Sequence, residues 1–435
     1  MKRLAENRSE SVFSDFKQPY NTNQAVVEAN RCLFCADAPC QVACPTDIDI
    51  PQFIRKIATG NVKNSAKTIL ESNILGMSCA RVCPVEVLCV GSCVYNGMDQ
   101  PPIQIGKLQR YSTDAAFEQG WRYFEAGEDT GKSVGLVGAG PASLAAAHEL
   151  RRFGHAVTIY DKRDVIGGLN TWGVAPYKLR AEDALAEVQY VLDIGGIDMQ
   201  LGVGVGPGEA LSWDDLEAKH DAVFLGFGLG EDSALQVMGQ DLDGVHGAVD
   251  FIECMKIGTV DLSWVKRATV VGGGNTAIDA VRELTGLGVP SVTLVYRGTE
   301  AKMSGYQHEW KAAKVEGVSA SWQSQPLAFL GQERVLSLHC GRLDEAKKPT
   351  GETFTIDTDL VLLAIGQGKL GKLLEGVDGV ELEWGKVVTD EDGATGRPGW
   401  YAGGDCRNGG KEVVNAVQEG KLAARAMNSY LMGGE

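Results

Sequence analysis

The sequence has little that would place the protein in a membrane or on nucleic acid. No apolar run approaches the ~18–20 residues that cross a bilayer. The first 16 residues lack the apolar core of a secretory signal, so we expect a cytoplasmic protein with no membrane partner. Basic residues number 41 against 57 acidic ones, which gives a net charge of −16. This balance argues against a nucleic acid partner, because phosphate neutralisation needs clustered Lys and Arg.

Histidine, proline and, over most of the chain, cysteine are also scarce. Only six His residues occur, without a Ser-His-Asp or H-E-x-x-H arrangement, so no catalytic side chain is predicted. Fourteen prolines against 55 glycines argue for tight turns and against disorder. Eight of the 11 cysteines lie between Cys32 and Cys93. They predict a local metal-binding device, whereas the solitary Cys254, Cys340 and Cys406 supply no C-x-x-C for a disulfide reductase.

The eight clustered cysteines form two groups with short spacings. Such spacings place several thiolates around a small volume, as iron–sulfur cubes require, and Cys-Pro occurs twice, as it does at the end of ferredoxin runs. Zinc is the alternative, but structural zinc commonly uses paired C-x2-C knuckles, and here only one C-x2-C exists, with no His nearby. We favour iron–sulfur clusters, and spacing alone does not assign each ligand. The groups are Cys32, Cys35, Cys40 and Cys44, then Cys79, Cys83, Cys89 and Cys93.

The predicted secondary structure changes after the cysteine-rich segment. Residues 1–130 show helix-like patterning and no convincing strands. From Lys132 an apolar strand, a glycine turn, a helix and a second strand follow one another, and the same order returns at 267–297. The sequence therefore predicts an α/β protein, in which a helical iron–sulfur domain precedes two doubly wound dinucleotide-binding units.

The first glycine turn has the features of a pyrophosphate site. It follows a strand and opens a helix, whose N–H groups and dipole suit an anion. Asp161 ends the next strand, where a carboxylate can accept hydrogen bonds from ribose hydroxyls. Ser143 stands where Gly or Ala is usual, so we expect slightly looser helix packing there. The turn consists of Gly138, Ala139, Gly140, Pro141, Ala142 and Ser143.

The second glycine turn has the same context but a different strand end. Here the following strand ends at Arg297, which can meet a 2′-phosphate, whereas an acid would favour the free hydroxyl. Arg297 thus favours NADP(H), but the nearby acid Glu300 is compatible with NAD(H) as well. The alternative for Arg297 is a solvated charge at the strand end with no role in binding. Near the C-terminus, a strand runs into Gly404 and Asp405, a turn that can bring a carboxylate to a flavin ribityl chain. The second turn contains Gly272, Gly273, Gly274, Asn275, Thr276 and Ala277.

These motifs, in this order, resemble a known family. GAGPAS, IGGLNTWGVAPYKL, GGGNTAIDA, AIGQ and YAGGD resemble the flavoproteins in which an NAD(P)H domain is inserted into an FAD domain. The cysteine-rich leader is similar to that of the glutamate synthase small subunit group. Within this group, RCLFCADAPCQVACPTDIDI and GMSCARVCPVEVLCVGSC most resemble the electron-input subunit of bacterial dihydropyrimidine dehydrogenase.

The resemblance implies a domain layout and two cluster ligand sets. A helical domain with two 4Fe–4S clusters would span 1–130, the FAD domain 131–246 and 357–435, and the NAD(P)H domain 247–356. Gln109 would be a ligand where glutamate synthase small subunits usually have Glu, and Cys79 would have no role. One set would be Cys32, Cys35, Cys40 and Cys93, and the other Cys44, Cys83, Cys89 and Gln109.

The resemblance also implies the residues that contact the other cofactors. Lys178 would face the flavin, and Arg297 would contact the nicotinamide nucleotide. The positions implied for FAD are Gly138, Gly140, Asp161, Gly168, Leu169, Gly404 and Asp405. Those implied for the nucleotide are Gly272, Gly274, Asn275 and Thr276. Pro141, Ala142, Ser143, Ala277, Gly366, Val414 and Asn415 complete the cofactor-binding set.

The implied activity is electron input from NAD(P)H to a partner. Hydride would pass to FAD, and single electrons would then pass through the clusters to an FMN-containing subunit that reduces uracil or thymine, in a hetero-oligomer. Pyrimidine reduction needs a second flavin site, and we see no room for it in this chain. The alternative is a glutamate synthase small subunit or a related NADPH donor.

Overall fold

The computed structural model describes residues 4–433, which form a helical N-terminal part followed by two α/β parts. This arrangement confirms the predicted fold class. Across the described residues, no helix combines the length and the apolar character that a bilayer crossing requires.

The N-terminal part consists of six α-helices, and no strand occurs between residues 4 and 132. The first helix begins with a capping box, in which the Asn21 side chain accepts the Gln24 N–H at 2.9 Å and the Gln24 side chain accepts the Asn21 N–H at 3.0 Å. The third helix buries Ile50, Phe53 and Ile57 on one face. The helices are α1 (Thr22–Asn30), α2 (Pro39–Val42), α3 (Ile50–Ala58), α4 (Val62–Ser72), α5 (Gly76–Val82) and α6 (Ile105–Glu118).

The two α/β parts follow the strand–turn–helix order that the sequence predicts. The first half contains β1 (Ser133–Val137), α7 (Pro141–Arg152), β2 (Ala156–Asp161), α8 (Leu169–Trp172), α9 (Ala181–Leu192), β3 (Ile197–Leu201), α10 (Trp213–Lys219) and β4 (Ala222–Leu225). Next come β5 (Val245–Gly247), α11 (Ala248–Ile257), β6 (Arg267–Gly272), α12 (Asn275–Gly286), β7 (Ser291–Val295), α13 (Gln307–Val315), β8 (Ser319–Ser321), β9 (Ser324–Gly331), β10 (Val335–Leu343), β11 (Pro349–Asp357) and β12 (Leu360–Ala364). The last elements are β13 (Leu382–Glu383), β14 (Lys386–Val387), β15 (Trp400–Ala402), α14 (Asp405–Asn408) and α15 (Val413–Leu431).

Strand order shows how the two parts are connected. The first sheet has the order β15-β4-β1-β2-β3 and the second β5-β12-β6-β7-β8, and every pairing within them is parallel. Because β15 pairs with β4, with Trp400 opposite Val223, the second part is an insertion in the first. The second sheet includes β5 and β12, so it extends beyond the predicted range 247–356 on both sides. An antiparallel sheet, β11-β10-β9, lies within the insertion.

Helices α7 and α15 cross closely beside the first sheet. Gly420 of α15 lies so near the Ala142 carbonyl that any β-carbon would overlap it. Both helices begin at the carboxyl ends of parallel strands, β1 and β15, with α14 between β15 and α15. Because those strand ends share one edge of the sheet, the two helix N-termini face the same crevice, where α/β sheets bind ligands.

The helical part is joined to the first α/β part through a buried carboxylate. Glu187 of α9 is fully buried and accepts hydrogen bonds from the N–H of Met77 at 2.8 Å and of Ser78 at 3.2 Å, and from the Ser78 hydroxyl. Burial raises the pKa of Glu187 to about 7, and the hydrogen bonds oppose that rise. Lys421 of α15 adds a second link by donating to the Ser72 carbonyl at 2.7 Å.

We expect Glu187→Gln to lower the free energy of unfolding by about 1–3 kcal/mol at pH 5, because the amide NH2 cannot accept from the backbone N–H groups, whereas both oxygens of the protonated carboxyl can. The folded pKa of Glu187 is raised from 4.5 to about 7. The folded state therefore binds the extra proton within that window, and wild-type stability falls as the pH rises through it. The difference between wild type and variant should narrow from pH 5 to pH 7.5 in thermal unfolding scans.

Glu71→Gln is the matched control, since Glu71 is half exposed and, within residues 4–433, pairs only with Lys67, at 3.6 Å. This substitution should change the unfolding midpoint little at any pH. Equal effects of the two substitutions would contradict a structural role for Glu187.

Candidate cofactor sites

Four cysteines drawn from both sequence groups line one pocket in the helical part. They are Cys32, Cys35, Cys40 and Cys93, the set that the resemblance assigns to one cluster. The rest of the wall is mainly apolar and includes Ile54. All four cysteines are free thiols. No three His, Cys, Asp or Glu side chains within residues 4–433 converge tightly enough to hold a single metal ion. The thiols surround a space instead, and a space walled by four thiols fits a cube of several atoms.

The second predicted ligand set lies between α5, α6 and the loop before α3. Burial raises the pKa of Cys89, and the nearby thiols of Cys83 and Cys44 raise it further, so these three sulfurs are neighbours. Gln109 is buried on α6, and its Nε2 donates to the Gly76 carbonyl at 2.7 Å. Its Oε1 makes no hydrogen bond to any described residue. This amide oxygen therefore has no competing partner among the described residues, while the amide nitrogen is held at the first residue of α5.

Cys79, which belongs to neither predicted set, is a close neighbour of Cys83. A hydrogen bond between the two thiols, together with burial, raises the pKa of Cys83. Burial likewise raises the pKa of Cys40 to about 11. Such thiols keep their protons in the metal-free chain, so cluster assembly must release protons from both sets.

The turn between β1 and α7 is shaped for a close ligand. Gly138 has φ +96°, and a β-carbon there would lie 2.5 Å from the Gly226 carbonyl oxygen. Gly168 has φ +59°, and its β-carbon would lie 2.7 Å from the Gly140 Cα. Gly140 itself is open, since the nearest atom to a β-carbon would be 3.9 Å away. Space is therefore left in front of Gly140, where a pyrophosphate would approach the α7 N-terminus.

Side chains around this turn are arranged as the motif requires. Asp161 ends β2, and its carboxylate accepts the N–H groups of Ala139 and Arg163, both at 2.8 Å, while burial raises its pKa. Ser143 is fully buried and faces Gly226, whose missing side chain makes room for the hydroxyl. Pro141 and Ala142 begin α7, and Leu169 begins α8 directly after Gly168.

The C-terminal turn adds a second helix start and a buried acid to the same crevice. The Gly404 N–H donates to Glu419 Oε2 at 2.7 Å. Burial, with Glu419 and Glu412 nearby, raises the pKa of Asp405 to about 6. Val414 is buried in the first turn of α15, and the Asn415 side chain accepts the Glu412 N–H at 3.3 Å. Sequence motifs did not point to Glu419 or Gly420, whose roles depend on how α15 packs.

The second glycine turn, between β6 and α12, repeats the first. A β-carbon on Gly272 would overlap the Ala364 carbonyl, whereas one on Gly274 would have its nearest neighbour, Ser304 Oγ, 3.9 Å away. Asn275 Oδ1 accepts the Tyr306 N–H at 3.0 Å, which fixes the loop after β7 against the helix start. Thr276 and Ala277 continue the first turn of α12. The open face of Gly274 again leaves space for a phosphate.

Arg297 lies just after β7, exposed and with no hydrogen bond or ion pair to any described residue. Glu300, the acid that keeps NAD(H) open, is held by Lys314 at 2.6 Å. The guanidinium is therefore free to meet a phosphate, while the carboxylate is engaged. Gly366, after β12, has open space where a side chain would project.

Lys178, predicted to face the flavin, is buried in an ion-pair cluster. Its ammonium lies 2.9 Å from Asp279 of α12 and 2.8 Å from Glu309 of α13. The Tyr177 hydroxyl donates to the same Asp279 carboxylate. These contacts link the segment before α9 to the inserted part, and no local sequence signal identifies Asp279 or Glu309 as partners.

Comparisons with known proteins agree with this division of the chain. A family model described as dihydropyrimidine dehydrogenase domain II, 4Fe–4S cluster, matches residues 8–121. A model described as pyridine nucleotide-disulphide oxidoreductase matches residues 132–420. The glutamate synthase [NADPH] small chain of Halomonas elongata is 34% identical, over 99% of this chain and 95% of that one. The NAD-dependent dihydropyrimidine dehydrogenase subunit PreT of Escherichia coli is 36% identical, over 94% and 95%.

Solved structures share the fold of the α/β parts. Mycobacterium tuberculosis FprA in complex with NADPH aligns with a TM-score of 0.57 and 19% identity, over 69% of this chain and 85% of that one. T. acidophilum thioredoxin reductase aligns with a TM-score of 0.56 and 23% identity, over 69% and 99%. At these identities the likeness concerns the fold alone.

The two open glycines predict a matched pair of variants. Gly140→Ala should fold, because its β-carbon meets nothing closer than 3.9 Å, but the methyl group would occupy the pyrophosphate position. We expect the purified variant to lose most of its FAD absorbance. Gly274→Ala should keep FAD and bind NAD(P)H at least tenfold more weakly, as measured by titration of flavin fluorescence.

Gly288→Ala serves as a control, since nothing lies within 4 Å of a β-carbon there and its strained φ of +87° is far from both turns. It should retain both cofactors with some loss of stability. Retention of FAD by Gly140→Ala, or its loss from Gly274→Ala, would contradict the assignment of the two turns.

Proposed function

The chain belongs to the family of iron–sulfur flavoproteins that contains the glutamate synthase small chain and the dihydropyrimidine dehydrogenase subunit PreT, and on this basis we propose that it is the electron-input subunit of a dihydropyrimidine dehydrogenase. It oxidises NAD(P)H and passes electrons through FAD and two 4Fe–4S clusters. The acceptor is an FMN-containing partner subunit, which reduces uracil or thymine.

One contact carries this proposal. Val414, at the start of α15 and next to the expected flavin, belongs to the same apolar cluster as Cys79, Cys83 and Cys93. Val413 packs against that cluster as well. The flavin crevice and the cysteine-rich core therefore share one wall, which is what electron tunnelling between a flavin and a cluster requires.

Hydride transfer depends on geometry more than on an acid or base. FAD supplies the ring that accepts hydride and releases single electrons. The protein binds and orients both dinucleotides through the open faces of Gly140 and Gly274. The contacts of Lys178 with Asp279 and Glu309 hold the inserted part against the flavin-binding part. They thereby fix the orientation of the NAD(P)H site relative to the FAD site.

Proximity to the start of α15 is the basis for the order of the two clusters. Besides the hydrogen bond with Cys79 and burial, the Glu412 carboxylate, which directly precedes α15, raises the pKa of Cys83, and on this proximity we place the Cys83 ligand set first after the flavin. Cys40 adjoins Cys89 and belongs to the other set. Cys32, Cys35 and Cys40 are partly exposed, as are Cys44 and Cys89, but only the Cys32 set lines the pocket that includes the exposed Leu33. Electrons would thus leave the flavin through the Cys83 set and reach the surface at the pocket that contains Cys32.

The surface beside that pocket fits a protein partner. Leu33, Val42 and Met98 are 51%, 84% and 56% exposed, which is unusual for large apolar side chains. Residues 1–121 contain equal numbers of acidic and basic residues, 12 of each, so the net charge of −16 comes from the rest of the chain. An apolar face on an electrically balanced segment of the chain is suited to the FMN-containing subunit.

A second function is supported by the comparisons as well. Glutamate synthase small chains match this chain at 34% identity over 96–99% of its length. In that case the partner would be a large amidotransferase subunit. Gln109 favours the pyrimidine enzyme, because glutamate synthase small subunits resemble this stretch but usually have Glu at this position.

Assays of the isolated chain test whether it oxidises NAD(P)H while the partner subunit reduces the pyrimidine. We expect it to reduce ferricyanide with NAD(P)H but to leave uracil and thymine unchanged, since the proposal assigns the second flavin site to the partner subunit. Pyrimidine reduction should appear only when the partner purified from native extract is added. Uracil reduction by the chain alone would refute the proposal, and glutamine-dependent activity with the partner would replace it by the second function.

Val42→Asp tests the docking face. Placing a charge on an apolar contact should cost about 1.4 kcal/mol or more, and so reduce partner-dependent turnover at least tenfold. Ferricyanide reduction and the cluster absorbance near 400 nm should persist. Val315→Asp, at a valine 89% exposed on the inserted part, is the matched control and should have no effect. Similar losses from both variants would exclude this face as the docking site.

A further inference from the structure

The segment before α1 brings a lysine to the backbone of a predicted cluster ligand. Lys17 Nζ donates a hydrogen bond to the carbonyl oxygen of Cys83 at 2.8 Å. Cys83 directly follows α5 and is itself buried. None of the sequence motifs includes Lys17, and it lies 66 residues before its acceptor.

The backbone around Lys17 is held on two sides, so its side chain is not free to swing away. The Lys17 carbonyl accepts a hydrogen bond from Arg110 of α6 at 2.5 Å. The N–H of the preceding residue, Phe16, donates to the Tyr177 carbonyl at 2.8 Å. Lys17 is thus fixed between the helical part and the first α/β part.

The electrostatic surroundings of Lys17 are mixed. Burial lowers the pKa of Lys17, and the nearby Glu86 and Cys83 oppose this change. Lys178 lowers the pKa further, whereas Glu309 raises it. The ammonium therefore lies near both the ion-pair cluster at Lys178 and the cysteine core, on a side chain that is partly buried. Charges in such positions act more strongly than surface charges because solvent screens them less.

We propose that Lys17 raises the reduction potential of the cluster that includes Cys83 and so makes this cluster the favoured first acceptor of electrons from the flavin. The inference rests on the proposed function, which supplies the cluster and the donor. When the cluster takes one electron, the flavin is oxidised by one electron and the cluster gains one negative charge. No bond forms or breaks, and Lys17 keeps its protons. A fixed positive charge stabilises the reduced cluster more than the oxidised one.

The hydrogen bond acts in the same direction as the charge. It polarises the peptide group of a ligand residue, and hydrogen bonding near the ligands is one of the terms that set cluster potentials. The other cluster is assigned to the pocket with Cys32, where burial raises the pKa of Cys32 and the charge of the nearby Arg55 opposes that rise. Among the described residues, however, no cation donates a hydrogen bond to the backbone of the cysteines of this pocket. Lys17 therefore distinguishes the two clusters and gives the electron route a direction.

The test is a redox titration followed by electron paramagnetic resonance on the full chain with its clusters. In Lys17→Gln, which keeps a donor but removes the charge, one of the two couples should shift to a more negative potential. We expect about a tenfold lower ratio of reduced to oxidised cluster at a fixed potential, which is about 59 mV for a one-electron couple. The other couple should stay in place. Lys17→Arg, which keeps the charge, should leave both couples close to wild type.

Lys67→Gln is the control. It removes a positive charge from the same helical part at a site 44% exposed and paired with Glu71, and neither couple should move. Unchanged potentials in Lys17→Gln, with both signals intact, would overturn the role of Lys17 and leave the proposed function standing. An equal shift in Lys17→Arg and Lys17→Gln would assign the effect to geometry and overturn it also. Absence of cluster signals from the wild-type chain would instead remove the proposed function itself.

Discussion

The close crossing of α7 and α15 is the constraint on which the rest of the structure depends. Gly420 lets the two helices approach at Ala142, so that both helix N-termini face one crevice. The same approach carries the first turn of α15 into the cysteine-rich core through Val414. A larger residue at 420 would separate the helices, and the flavin crevice and the cluster core would no longer share a wall.

The inserted part needs its own fixed position, and polar contacts provide it. Lys178 meets Asp279 and Glu309 where little solvent reaches, and the Tyr306 hydroxyl donates to Glu412 at 2.6 Å. Removing one member of such a group leaves an uncompensated buried charge, so the group specifies one orientation more than it adds stability. The Tyr306 contact reaches Glu412, the residue directly before α15. The positions of the nucleotide site, the flavin crevice and the cluster core are therefore all fixed relative to the start of α15.

Sequence reasoning predicted what depends on local pattern. Strand, glycine turn and helix recur at short range, so the local pattern alone identifies Gly140 and Gly274. Contacts made by packing were not predictable in this way. Glu187 meets Met77 across more than 100 residues, and the looser packing expected from Ser143 does not follow, because Gly226 on the neighbouring strand's turn accommodates the hydroxyl. Neither pairing leaves a periodic signal in the chain.

The three solitary cysteines of the α/β parts cannot form a redox-active pair, and the helical part supplies other electron acceptors in its place. The α/β parts share their fold with thioredoxin reductase, but Cys254 is exposed on α11, while Cys340 and Cys406 are buried in different apolar clusters. No two of these three thiols can form a dithiol beside the flavin crevice. Electrons that enter from NAD(P)H therefore need another exit, and the wall shared with the cysteine-rich core provides one. In the proposed function, the same nucleotide-binding architecture would be directed towards one-electron carriers, and the partner subunit would dock on the exposed apolar face at the outer thiol pocket.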